Sequence, residues 1–151
     1  MNTTIRTERM NHNWDDSLLL GIETIDKQHK SFFTLLNEII SLSENNDNED
    51  KVLDLLNELQ IHAECHFNTE EALMHEANSP DLEEHINQHN LFQRKTKDFM
   101  VVYSYGNKLL INKIIAFMKQ WLITHIREYD TDYAKCVKTY YAQKTMFSHK
   151  E

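Results

Sequence analysis

Residues 66–89 read HFNTEEALMHEANSPDLEEHINQH. This stretch holds four of the nine histidines and six carboxylates beside Phe67, Leu73, Met74 and Ile86. His66 and Glu70 are four residues apart, as are His85 and His89, so on a helix each pair shares a face with its Cβ atoms about 5–6 Å apart. Between the pairs, Ser79 can cap, Pro80 suits a first helical position, and Asp81 and Glu83 favour the positive end of a helix dipole. The stretch therefore reads as the end of one helix, a turn and the start of another, each presenting a pair of groups able to chelate.

The same periodicity extends in both directions. Ile22, Ile25, Phe32, Leu36 and Ile39 recur at three and four, with His29 on their stripe. The polar segment SENNDNED (43–50) reads as a loop. Val52, Leu55, Leu59, His66 and Leu73 mark a second helix running to about Glu76, and Leu82, His85, His89, Phe92, Phe99 and Tyr103 mark a third. SYGN (104–107) closes the third, because Gly106 can take the left-handed conformation. A fourth carries Ile111, Ile114, Met118, Leu122 and His125. Residues 1–21 form a polar arm without helical period, in which Trp14 and the leucines at 18–20 can lie over a core. Residues 22–133 make the bundle, and 134–151 a tail that either continues the helix or folds back. There is no internal repeat and no low-complexity segment.

Composition agrees with an all-α chain. Only two glycines and one proline occur in 151 residues, which leaves few breaks and favours a few long helices. That length suits one domain with one sizeable core, and four amphipathic helices on short connections make an antiparallel up-down four-helix bundle the natural architecture. A net charge of -8 argues against a nonspecific nucleic-acid binder. Cys65 and Cys136 form no Cys-x-x-Cys pair, which indicates neither a disulfide framework nor a thiolate site and fits a reducing, cytoplasmic setting. No apolar run approaches the ~20 residues of a membrane span, and MNTTIRTERMNHNWDD lacks the apolar core of a secretion signal.

A lone histidine on an apolar stripe is ordinarily a core residue satisfied by a neighbour. Five are different. His29, His66, His85, His89 and His125 send imidazoles from all four helices into one interior, where they cannot all satisfy one another, whereas a metal uses the lone pair that an apolar core cannot. Glu70 is the carboxylate that joins them. Glu64, Glu71, Glu83 and Glu84 read as a solvated face, and His12, His75 and His149 as surface groups. His62, one turn before His66, reads as a group supporting the site or the core, and secondarily as an extra ligand.

GIETIDKQH (21–29), HFNTEE (66–71), Pro80 with HINQH (85–89) and Phe92, and WLITHIREYDTDY (121–133) together resemble the bacterial hemerythrins over nearly the whole span from Trp14 to Tyr133. The resemblance implies two non-haem irons per chain joined by an oxo or hydroxo bridge. His29, His66, His85, His89 and His125 would be terminal ligands, and Glu70 and Asp130 bridging carboxylates. Periodicity does not find Asp130: five residues at 100° place it roughly 140° around a regular helix from His125, so an i to i+5 irregularity is expected between them. His62 and Ser79 stand where members of that family often carry tyrosine.

The implied ligands fill eleven of the twelve positions of two octahedral metals. The resemblance places the open position on the iron held by His29 and His66. It implies reversible O2 binding for transport, storage or delivery by a monomeric, non-catalytic chain. Two Fe(II), two carboxylates and one hydroxide leave the centre weakly positive, and the chain has no Glu-x-x-His of the kind that ferritin-like di-iron oxidases use. Phe32, Phe67, Phe92 and Trp121 would form a dry cage. The alternatives are an O2 or redox sensor acting through a partner protein, an enzyme turning over peroxide or nitric oxide, and a structural zinc or iron-storage protein.

Overall fold

A computed structural model describes residues 14–44, 49–106 and 109–148. The residues His12 and His149, the arm before Trp14, the centre of the 43–50 segment and the last three residues lie outside that range. A 3-10 turn at Asp16–Leu18 precedes helices α1 (Glu23–Ser43), α2 (Glu49–Glu76), α3 (Leu82–Ser104) and α4 (Leu110–His125). The chain then runs through a π-helical turn at Ile126–Asp130 directly into α5 (Thr131–Ser148). Among the described residues there is no strand. Helix α1 packs on α2, α2 on α3, α3 on α4, and α4 back on α1, which closes an up-down four-helix bundle. The tail continues the fourth helix and packs on α2.

The apolar stripes become the core. Phe32, Leu36 and Ile39 of α1, Leu56 and Leu59 of α2, Phe92 of α3, and Ile114, Met118 and Leu122 of α4 are buried in one cluster. Each such side chain contributes about 1.5–3 kcal/mol of transfer free energy. A smaller cluster of Met74, Ala77, Tyr133 and Val137 joins the end of α2 to α5. The described part of the arm is tied down by Asp26. Its buried carboxylate accepts the N–H groups of Leu20 at 2.8 Å and Gly21 at 3.1 Å, so α1 starts without a side-chain cap at Ile22. Gly21 has φ +82, where an added Cβ would also lie 3.3 Å from Lys138 Nζ. Trp14 packs edge-on against Phe33, with centroids 5.9 Å apart.

The turn between the two ligand-bearing helices differs in detail from the expectation. Ser79 does not cap α3, which begins at Leu82 with Asp81 in the capping position and no side-chain cap bond. Ser79 serves α2 instead. Asn78 takes φ +53, and the N–H groups of Asn78 and Ser79 reach back to the carbonyls of His75 and Met74, a Schellman closure. At the end of α3, Gly106 has φ +102 and donates to the Tyr103 carbonyl at 3.0 Å, as the SYGN segment predicts.

Candidate metal centre

The bundle brings His29 from α1, His66 and Glu70 from α2, His85 and His89 from α3, and His125 and Asp130 from the fourth helical run into one buried cluster. All seven are at most 3% exposed. Each carboxylate straddles two sets of imidazoles. Glu70 Oε1 lies 3.0 Å from His66 Nε2 and 3.5 Å from His29 Nε2, while its Oε2 lies 3.0 Å from His89 Nε2 and 3.4 Å from His85 Nε2. Asp130 Oδ2 lies 3.3 Å from His29 Nε2, and Oδ1 lies 2.9 Å from His85 Nε2 and 3.1 Å from His125 Nε2. The atoms form two groups able to hold a cation, His29, His66, Glu70 and Asp130, and Glu70, His85, His89 and His125.

Hydrogen bonding within the protein does not account for this arrangement. The Nε2 atoms of His125 and His85 are 3.1 Å apart, and those of His125 and His89 3.2 Å apart. One proton can serve one such pair, but a shared cation serves all three. With metal–ligand bonds of about 2.0–2.2 Å, neighbouring ligands of an octahedron lie about 2.8–3.1 Å apart, which is the spacing of the closest pairs here. Both ring nitrogens of His29, Nδ1 of His125, Oε2 of Glu70 and Oδ2 of Asp130 are buried without a hydrogen-bond partner. Buried polar groups left so are costly unless something else engages them. The donor set fits a pair of first-row transition metals.

The charges are strongly interdependent. Burial alone would keep His29 and His85 neutral, yet the nearby Asp130 and Glu70 carboxylates outweigh it and push both up to about 9. Burial prevails for His89 and lowers it. Burial also opposes ionisation of Glu70 and Asp130. The imidazoles outweigh it, with His66, His29 and His85 holding Glu70 well below the usual range and His125 and His29 lowering Asp130. Tyr133 is buried beside these two carboxylates, and both effects raise its phenol. Its hydroxyl donates to Glu70 Oε1 at 3.1 Å.

Asp130 reaches the cluster through the π-helical turn Ile126–Asp130, the irregularity that the five-residue spacing demanded. The wider turn adds the extra residue without rotating Asp130 away. Around the polar atoms, Phe67 stacks on His89 at 3.9 Å and Trp121 on His125 at 4.4 Å. Phe92 contacts Phe32, Phe67 and Trp121 at 5.8, 5.7 and 4.5 Å, which joins the four expected cage rings. His62 is not brought into either group; its Nε2 meets the Gln28 carbonyl at 2.9 Å. His75 is exposed, as expected.

Glu71 corrects the sequence reading. It is half-buried, and its Oε2 lies 3.4 Å from His89 Nδ1. Gln28, which the stripes did not single out, places Oε1 2.7 Å from His66 Nδ1.

The fold and this geometry define a helical-bundle cation-binding domain with a buried histidine and carboxylate centre. The hemerythrin HHE cation-binding domain family matches residues 20–137, and the chain belongs to it. It is 32% identical to the bacteriohemerythrin of Clostridium acetobutylicum over 124 residues, 80% of this chain and 96% of that protein. The bacteriohemerythrin of Stenotrophomonas maltophilia is 28% identical over 130 residues, 86% of this chain and 84% of that one. A hemerythrin-like protein of Naegleria gruberi is 31% identical over 121 residues, 80% and 89% of the two chains.

Proposed function

We propose that this chain binds O2 reversibly, without turnover, at a non-haem di-iron centre, for oxygen transport, storage or delivery. His29 and His66 would hold one iron and His85, His89 and His125 the other, with Glu70 and Asp130 joining them. A pair of ferrous ions, when bound, supplies the electrons with which O2 is held. The observation that carries the reading is the way Glu70 and Asp130 each turn one oxygen to each imidazole set, as a bridging carboxylate must. Unequal numbers of imidazoles leave the His29 and His66 side with fewer protein donors.

The surrounding residues favour reversibility. Phe32, Phe67 and Phe92 are at most 3% exposed and exclude water, and with Trp121 they offer no acidic proton toward the centre. The buried hydroxyl at the centre, Tyr133, is already committed to Glu70. Among the described residues no helix is long and apolar enough to cross a membrane. The test is anaerobic loading with Fe(II) followed by admission of air. A colour that forms in air, vanishes under argon and returns through repeated cycles, with no net O2 consumed, is expected. Sustained O2 consumption with an added reductant would transfer the centre to the enzyme class, and immediate irreversible oxidation would remove the carrier role.

A further inference from the structure

The outer nitrogens of His66 and His89 end on chemically different partners. Gln28 Oε1 lies 2.7 Å from His66 Nδ1 and Gln28 Nε2 lies 3.3 Å from Thr69 Oγ1, while the Thr69 hydroxyl donates to the Cys65 carbonyl at 2.9 Å. The last member fixes the direction of this chain of bonds. A backbone carbonyl only accepts, so the single Thr69 proton goes to Cys65, and Thr69 can only accept from Gln28. Gln28 must then turn its NH2 toward Thr69 and its oxygen toward His66, and His66 must donate through Nδ1. The lone pair of His66 is thereby left on Nε2, facing Glu70 Oε1 at 3.0 Å. Two electron-rich atoms at that separation require a positive charge between them.

His89 has a carboxylate in the corresponding place. Glu71 Oε2 lies 3.4 Å from its Nδ1, and the Glu71 side chain is 25% exposed. Glu71 and His89 both line a groove of about 710 Å³ between α2 and α3. A carboxylate that accepts an Nδ1–H leaves more electron density on Nε2 than a neutral amide does, and such outer partners tune both affinity and redox behaviour of metal sites. We propose that Gln28 and Glu71 are positioning residues that make the two halves of the centre unequal. Glu71 makes the half with His85, His89 and His125 the better stabiliser of high cation charge. Gln28 locks His66 in its metal-ready tautomer without adding charge to the half with His29. This deepens the di-iron reading and rests on it.

The test uses the full chain stripped with a chelator and titrated with Co(II) against a chromophoric competitor, followed by potentiometry of the iron-loaded form. Gln28→Leu and Glu71→Leu are each expected to weaken binding of one of two Co(II) ions about 10–100-fold. Gln28→Glu and Glu71→Gln should retain both ions but move the midpoint potential in opposite directions, down for Gln28→Glu and up for Glu71→Gln. The double exchange should fall between them. If a leucine variant loses its helical circular dichroism, the two polar exchanges decide alone. Potentials that stay put, or move the same way in both, would overturn the inference while leaving the di-iron reading intact. Failure of the unaltered chain to take up Co(II) would overturn both.

Discussion

His125 and Asp130 lie five residues apart, yet His125 Nε2 and Asp130 Oδ1 meet at 3.1 Å because the helix widens into a π turn between them. The other oxygen of Asp130 reaches His29 on the adjacent helix α1 at 3.3 Å. Replacing Asp130 by Ala should therefore weaken both cation positions, not one. Elemental analysis after dialysis should find fewer than one metal per chain. Retention of two, with unchanged spectra, would rule out Asp130 as a bridge.

His85 and His89 sit on one face of α3 and belong to the same cation-binding group. Their joint replacement by Ala should empty that position and leave His29, His66, Glu70 and Asp130 to hold the other, giving close to one metal per chain. Two fully occupied positions would refute the partition of the ligands.

Tyr133 is 1% exposed and donates its hydroxyl to the ionised Glu70. Tyr133→Phe keeps the ring and removes that bond, so urea unfolding should show a loss of about 1.5–3 kcal/mol, the range for hydrogen bonds to charged groups. A loss below the error of the measurement would mean that Glu70 is satisfied without it.

With metal removed by chelation, protons take over part of the cation's role, and stability acquires a definite pH dependence. His29 and His85 have pKa values raised from 6.5 to about 9, so their contribution is complete below pH 6.5 and is lost as pH rises through about 9. Glu70 and Asp130 are shifted down, so theirs is present above the ordinary carboxylate values of 4.5 and 3.8 and is lost on acidification. His89 is lowered and works the other way below pH 6.5, so thermal melts of the chelated chain should decline from about pH 6.5 toward pH 10 and again on acidification, whereas saturating metal should remove the alkaline decline. A melt that stays flat from pH 6 to 10 in the chelated chain would contradict this.

How far the sequence could be read depended on the kind of relationship involved. Stripes such as Ile111, Ile114, Met118, Leu122 and His125 are local, because 3.6 residues per turn sort a helix into faces before any neighbour is known. That logic located five imidazoles and Glu70. It missed Asp130, whose place depends on a π turn that regular periodicity cannot express, and the family motif supplied it. It also misread Glu71. One residue past Glu70 is about 100° around the helix, which looks outward on α2 alone. Only the approach of α3, carrying His89, turns that direction into a half-buried one. Gln28 escaped for the same reason, since its value lies in what α2 sets against it. Ser79 has the chemistry of a cap, but the left-handed Asn78 commits it to closing α2.

The contact between Tyr133, Val137, Met74 and Ala77 bears on where the chain can be shortened. Cys136 also points its thiol at the Ala77 carbonyl, at 3.7 Å. Farther along, Tyr140, Tyr141 and Lys144 all converge on the carboxylate of Glu76. A fragment trimmed at Tyr133, where the sequence first suggests the bundle could end, would unroof that tyrosine and admit water to the bond it makes with Glu70. The smallest fragment that keeps the centre dry must extend past Val137, so the first turns of α5 form the lower wall of the metal chamber.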